Sequence, residues 1–206
     1  MPEFNALLDG YHRFRSGRYE QEKERFDALA TEGQKPPVMV ISCCDSRVDP
    51  ATVFDTTPGQ VFALRNIANL VPPFDFGVLN GASSAIEFGV LGLHVRHIVV
   101  LGHGACGGIK AALTGAQLGT EARGFVEGWM TIIGEARSDV LRSMNPDPQG
   151  ALEREAIKVS LRNLRTFPYI AEREARGELK LHGALFAIGD GNLLVLDEDT
   201  GEFSVA

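Results

Sequence analysis

The sequence predicts an α/β fold in which a mostly parallel central sheet is flanked by helices. The main observation is a pair of short apolar runs, residues 38–41 and 98–101, rich in β-branched residues and bounded by proline and glycine. Runs of this kind are typical of strands buried on both faces, as in parallel sheets. A second observation is the Asp190-Gly191 turn signal before the apolar run 193–196. This pattern indicates an antiparallel strand at the edge of the sheet.

The first 33 residues predict an N-terminal helical arm. Apolar residues recur there at helical spacing, and a break near Ser16-Gly17 divides the segment into two amphipathic helices. The breaker at residues 33–37 ends the arm and leads into the first strand. We therefore expect an arm over residues 1–33 and a single α/β domain over residues 34–206.

Turn signals and apolar periodicity predict the remaining elements of the domain. The expected strands cover residues 60–65, 97–101 and 181–188. The expected helices cover residues 79–93, 107–113, 121–145 and 151–176.

Composition excludes several classes of function. The net charge of −7 lacks the basic surface that nucleic-acid binding needs. No apolar run approaches the roughly 18 to 20 residues of a membrane span, and the N-terminus lacks the apolar stretch of a secretory signal, so we expect a cytoplasmic protein. The chain has only three cysteines, which suits a reducing compartment if two of them bind a metal.

The residues of chemical interest follow the two apolar runs. Cys43 follows the first run, and His103 and Cys106 follow the second. Open α/β sheets bind ligands at the carboxyl ends of their strands, so we expect these three side chains to converge there. Two thiols and an imidazole are a donor set for zinc, and three protein ligands leave the fourth position open for chemistry.

These residues also carry a family resemblance. The motif Cys43-x-Asp45-Ser46-Arg47, followed by His103-x-x-Cys106-Gly107-Gly108, resembles the signature of the β-class carbonic anhydrases, plant-type subgroup. Residues 65–73 and 84–88 resemble the intervening segments of that family, so the similarity runs from about residue 34 to 113. The resemblance implies a sheet of order 2-1-3-4 with a further strand, one Zn2+ per chain, and a homodimer or higher homo-oligomer in which the arm lies across a partner subunit.

The implied activity is reversible hydration of CO2 to bicarbonate and a proton, by attack of zinc-bound hydroxide. In this interpretation Asp45 accepts a hydrogen bond from the hydroxide. Arg47 holds Asp45 ionised and away from the metal by a bidentate contact.

The resemblance also implies a substrate-binding set. Gln34 matches a glutamine whose side-chain amide touches substrate in plant-type members, and Phe62, Ile67 and Phe88 match residues that line the pocket, some of them across the dimer interface. Gly107 completes the set at the start of a helix whose N-terminal amides face the motif. Phe88 stands where many relatives have tyrosine, so one hydroxyl is missing.

Two alternative functions use the same residues. The first is hydrolysis of carbonyl sulfide or carbon disulfide on the same scaffold. The second is a non-catalytic zinc- or bicarbonate-binding protein, with Asp45 permanently on the metal. A thiol redox protein fits poorly because the cysteines do not form a Cys-x-x-Cys motif.

Overall fold

A computed structural model describes residues 1–115 and 124–206 of the chain. In these ranges, six strands form one sheet in the order β2-β1-β3-β4-β5-β6. The strands are β1 Val38–Cys43, β2 Val61–Asn66, β3 His97–His103, β4 Lys180–Phe186, β5 Leu193–Leu196 and β6 Phe203–Val205. Strands β1 to β4 are parallel, and β5 and β6 are antiparallel. The structure confirms the predicted mostly parallel sheet with order 2-1-3-4.

Strand β6 is an addition to the prediction. It pairs with β5 from Leu194↔Val205 to Leu196↔Phe203 and forms the outer edge of the sheet. The strand has only three residues, too few for an alternating pattern to stand out in the sequence. Its position depends on pairing with β5.

The described helices vary widely in length. They are α1 Pro2–Ser16, α2 Arg18–Gln21, α3 Lys23–Glu32, α4 Pro50–Val53, α5 Gly81–Glu87, α6 Gly107–Thr114, α7 Phe125–Met130, α8 Gly134–Arg142, α9 Pro148–Leu164 and α10 Pro168–Ala175. Short 3₁₀ turns cover Ile67–Asn69 and Thr131–Ile133, and a π-helical turn covers Phe88–Gly92. Residues 121–123 of the predicted helix 121–145 lie outside the described ranges.

Three predicted helices differ from the structure. Within the described residues, the segment 121–145 forms α7 and α8, which the 3₁₀ turn Thr131–Ile133 separates. The segment 79–93 contains α5 and the π-helical turn that follows it. The Asn80 side chain caps α5 by accepting the Ser83 N–H at 2.8 Å. The segment 151–176 is two helices, because Pro168 lacks the N–H that a continuous helix needs and instead begins α10.

The chain divides into two compact units, Met1–Lys35 and Pro36–Ala206. The first unit contains α1 to α3, with the predicted break at Gly17 and a further break at Glu22. An aromatic cluster joins its helices: the ring centroid of Phe14 lies 6.0 Å from that of Phe26, and Tyr19 lies 5.0 Å from Phe26.

In the second unit, α9 packs closely on the sheet. Gly102 on β3 and Gly183 on β4 make this possible, because a Cβ at either position would lie 2.7 Å or 2.9 Å from the side chain of Ile157. The resulting core contains Met39, Ile41, Ile98, Val100, Ile157 and Leu161. No helix in the described part of the chain is long and apolar enough to cross a membrane.

Candidate metal centre

Parallel pairing of β1 with β3 brings the predicted metal ligands together. Cys43 ends β1, His103 ends β3, and Cys106 precedes α6. One ligand atom from each of the three residues lies within 4.8 Å of the other two, and all three residues are buried. Within residues 1–115 and 124–206, this is the one such group of metal-binding side chains.

The hydrogen bonding of His103 fits a metal ligand. Its Nδ1 pairs with the Gly104 carbonyl at 2.9 Å, which favours a proton on Nδ1. Its Nε2 is buried without a hydrogen-bond partner. A buried ring nitrogen with a free lone pair, held by a backbone carbonyl on the other side of the ring, is the usual arrangement of a metal-binding histidine. With the two thiols it forms three of the four ligands that zinc prefers.

The two thiols differ in acidity because of their mutual contact. The Cys106 thiol donates to Cys43 and, against the effect of burial, lowers the pKa of Cys43 to about 4. The same contact and burial raise the pKa of Cys106. Burial lowers the pKa of His103, but the Cys43 thiolate and the Gly104 carbonyl outweigh it, so this pKa is raised. The group therefore favours a thiolate at Cys43, the form that binds metals.

A left-handed turn after β2 supports the Cys43 thiolate. Ala68 and Asn69 have φ angles of 60° and 50°, values that L side chains rarely adopt. The Asn66 side chain bridges the turn, with Nδ2 donating to the Leu70 carbonyl at 2.8 Å and Oδ1 accepting from the Leu70 N–H at 3.0 Å. A contribution from the Ala68 backbone N–H of this turn helps to lower the pKa of Cys43.

Asp45 and Arg47 form a bidentate ion pair next to these ligands. Arg47 Nε donates to Asp45 Oδ1 at 2.9 Å, and Nη2 donates to Oδ2 at 2.7 Å. These bonds, with one from the Arg47 backbone N–H, hold the pKa of Asp45 well below its usual range. Asp45 Oδ2 lies 4.0 Å from His103 Nε2. The structure thus contains an ionised carboxylate close to the three candidate ligands.

Arg65 holds the loop that carries these groups. From β2 it donates to the carbonyls of Cys43 at 3.0 Å and Asp45 at 2.7 Å, and it pairs with Asp49 at 3.0 Å. Sequence reasoning quoted Arg65 within a resembling segment and assigned it no role. A cation in an otherwise mainly apolar strand was the signal that could have identified it.

Glu153 is a second residue that sequence reasoning missed. It lies on α9 with 5% exposure and accepts the Cys106 backbone N–H at 2.9 Å through Oε1. Burial raises the pKa of Glu153, although the Cys106 N–H and the Gln149 amide oppose this effect. The available signal was an acidic residue between Leu152 and Ala156 on the buried face of an amphipathic helix.

The predicted substrate-binding residues differ in their exposure and in the part of the chain to which they belong. The rings of Phe62 and Phe88 pair with centroids 5.9 Å apart, and Phe88 is 53% exposed. Ile67 packs on Gly108, while Gly107 lies exposed at the first turn of α6. Gln34 is exposed and belongs to the N-terminal unit. Their contact with substrate stays a prediction.

Comparison with known proteins identifies the family. The family model for carbonic anhydrase matches residues 38–193. The mitochondrial β-carbonic anhydrase 6 of Arabidopsis thaliana is 40% identical over 186 residues, which are 88% of this chain and 63% of the plant protein. This chain therefore spans less than two thirds of that relative's length. Because the relative is named as mitochondrial, a cytoplasmic location stays a prediction.

Solved structures agree in sequence and fold. The β-carbonic anhydrase CcaA superimposes with a TM-score of 0.93 at 31% identity, covering 100% of this chain and 93% of CcaA. A tetrameric β-carbonic anhydrase from Sordaria macrospora gives a TM-score of 0.81 at 29% identity, covering 99% of this chain and 100% of the fungal one. The matched family model, the plant relative and these structures all include the strands that carry the Cys-His-Cys group, and the chain belongs to the β-class carbonic anhydrase family.

Proposed function

We propose that the chain catalyses the reversible hydration of CO2 to bicarbonate and a proton, with one zinc ion held by Cys43, His103 and Cys106. The observation that carries the proposal is the buried Cys-His-Cys group, whose unpartnered His103 Nε2 lies 4.0 Å from the Asp45 carboxylate. Membership of the carbonic anhydrase family supports it.

The donor set defines what the metal would contribute. Bound zinc with three protein ligands would leave one position open and lower the pKa of a coordinated water from about 15.7 to about 7. Asp45, ionised close to the three ligands, would act as a hydrogen-bond acceptor that orients the attacking oxygen. Arg47 would keep Asp45 from binding the metal, because the guanidinium occupies both carboxylate oxygens.

CO2 is small and apolar, so its pocket needs apolar walls and few polar groups. Phe62, Ile67 and Phe88 provide such walls in the proposal. In the proposal, the Gly107 N–H at the start of α6 favours a developing negative charge. Donation from the Gln34 amide to a substrate oxygen stays a prediction from the sequence.

The test is stopped-flow CO2 hydration against pH, on wild type and the Asp45→Ala variant with measured zinc content. We expect about one zinc per chain in both proteins. Activity should rise with pH in the wild type and fall roughly 100-fold or more in the variant, because a positioned hydrogen-bonding group contributes about 10²–10⁴-fold. Asp199→Ala removes an exposed carboxylate from the β5–β6 turn and is the matched control. Bound zinc without hydration at any pH would refute the proposal.

The same preparation separates the alternative reactions. Carbonyl sulfide or carbon disulfide turnover without CO2 hydration would favour a hydrolase on this scaffold. The bidentate Arg47–Asp45 pair opposes a non-catalytic zinc protein, since that function requires Asp45 on the metal.

We further propose that the active form is a homo-oligomer. The described residues expose large apolar side chains, including Phe76 at 89%, Leu79 at 100% and Phe88 at 53%. Burial of such a surface in a partner interface stabilises association, and the Sordaria macrospora relative is described as tetrameric. Light scattering coupled to size exclusion should give a dimer or larger species. A monomer at micromolar concentration would contradict this proposal.

A further inference from the structure

Trp129 connects α7 to the turn beside the metal centre. It is the single tryptophan of the chain, and its indole Nε1–H donates to the Ile67 carbonyl at 2.9 Å. Ile67 begins the Ile67–Asn69 turn, and Ala68 of this turn is fully buried in the same side-chain cluster as Cys43 and Cys106. We propose that Trp129 is a positioning residue for the metal centre, which holds this turn in place against Cys43 and Cys106. The inference rests on the proposed zinc site.

The turn needs support from its surroundings. Ala68 and Asn69 are consecutive non-glycine residues with positive φ, a conformation that persists only where neighbouring contacts stabilise it. Ser160 on α9 donates to the Asn69 carbonyl at 3.1 Å and thereby holds the end of the turn. Trp129 holds the opposite end, at Ile67.

Helix α6 confines the turn on another side. A Cβ at Gly108 would lie 2.8 Å from Ile67 Cγ2 and 3.4 Å from Ala68 Cβ, so α6 and the turn are in close contact. The adjacent Met130 is buried and also reaches Gly108. A displacement of Ile67 would therefore disturb the Ala68 contact with Cys43 and the start of the helix that follows Cys106.

The position of the turn matters for metal binding because the turn packs in the cluster that fixes the side chains of Cys43 and Cys106. Residues that orient metal ligands typically change metal affinity or activity by about 10–100-fold when they are substituted. Trp129 lies one contact further out, since it holds the turn that packs beside these ligands. We therefore expect an effect at the lower end of that range.

The test compares the variant Trp129→Phe with wild type in zinc affinity, measured by competition with a chelator. Phenylalanine keeps an aromatic ring but removes the N–H donor. We expect about tenfold weaker zinc binding, from the lower end of the outer-shell range, with little change in the melting temperature of the zinc-free protein. Phe125→Leu is the matched control, because it alters an 85% exposed aromatic residue on the same helix. Unchanged zinc affinity in Trp129→Phe, or an equal loss in Phe125→Leu, would overturn the inference.

A second measurement uses the wild type and does not depend on the folding of a variant. Zinc is added to the zinc-free protein while Trp129 fluorescence is recorded. The coupling predicts a change that saturates at one zinc per chain. Bound zinc without a fluorescence change would overturn the inference and leave the proposed function intact. A wild type that binds no zinc at all would overturn both.

Discussion

Arg47 connects Asp45 to the segment that carries the other two candidate ligands. Its Nη2 donates to Asp45 Oδ2 at 2.7 Å and to the Ala105 carbonyl at 3.2 Å. Ala105 lies between His103 and Cys106, whereas Asp45 follows Cys43 along the chain. One guanidinium therefore joins the loop after β1 to the loop after β3, and its geometry sets the distance of the carboxylate from the ligands.

Arg47→Lys should not preserve activity, although it keeps the positive charge. Lysine presents a point charge without the planar fork, so it cannot occupy both Asp45 oxygens and the Ala105 carbonyl together. Because misplacement of a catalytic group by about 1 Å can cost about 100-fold, we expect a fall in kcat/KM of about 10–100-fold. Zinc content should be unchanged.

The measurement is steady-state CO2 hydration with zinc analysis of each sample. Arg142→Lys alters an exposed arginine that pairs with Asp139 on α8, and it is the control. Wild-type kinetics in Arg47→Lys would show that the bidentate geometry is unimportant.

Glu153 should stabilise the protein as a hydrogen-bond acceptor. Glu153→Ala leaves the buried Cys106 N–H without its partner, which costs about 1–3 kcal/mol in the free energy of unfolding. Glu153→Gln keeps a side-chain oxygen in the same place and should lose less. Urea denaturation of the zinc-free proteins measures both values. Equal losses in the two variants would assign the effect to the charge of Glu153 instead.

Gly108→Ala should destabilise the contact between α6 and the Ile67–Asn69 turn. The added methyl group would lie 2.8 Å from Ile67 Cγ2, and overpacking of this kind costs about 1–3 kcal/mol. Gly134→Ala on α8 is the control, because a Cβ there meets nothing within 4 Å. Alanine adopts the φ of −59° and ψ of −40° of Gly134 without strain and restricts the unfolded chain, which stabilises the protein by about 0.4–1 kcal/mol. The two variants should therefore shift the thermal midpoint in opposite directions.

His182 should make the protein less stable in mild acid. Burial lowers the pKa of His182, and the nearby His97 and Lys180 add to this effect, while Glu198 opposes it. His97 Nδ1 lies 3.0 Å from His182 Nε2 across β3 and β4. As the pH falls below about 6.5, the unfolded chain takes up a proton at this position that the native state resists, so the free energy of unfolding decreases.

Urea denaturation at several pH values between 8 and 5 tests this prediction. The pH dependence should be weaker in His182→Gln than in wild type. The control is His12→Gln, which alters an exposed histidine on α1. An unchanged slope in His182→Gln would exclude His182 as the source.

Local patterns predicted the strands that carry the candidate ligands. The apolar runs before Cys43 and His103 are β1 and β3, and these strands are neighbours as expected for converging carboxyl ends. Both runs lie in the core, where burial on both faces imposes a continuous apolar sequence that is readable without a structure.

The supporting residues were harder to predict because their partners are distant in sequence. Glu153 bonds a backbone group 47 residues away, and Trp129 bonds one 62 residues away. The sequence around Glu153 and around Trp129 contains no motif that indicates the bonding partner of either residue. Only the packing of α9 and α7 on the sheet and its loops brings these groups to the site.

The sequence by itself determined the chemistry of the donors, their places at strand ends and the resemblance to the β-class carbonic anhydrases. These properties depend on residue type and on order along the chain. The tertiary structure alone decided which donors support Cys43 and Cys106, the left-handed conformation at Ala68, and the distance of 4.0 Å between Asp45 and His103. Those properties arise from contacts between remote segments, because the energy of a strained turn or a buried N–H depends on the groups that packing brings against it.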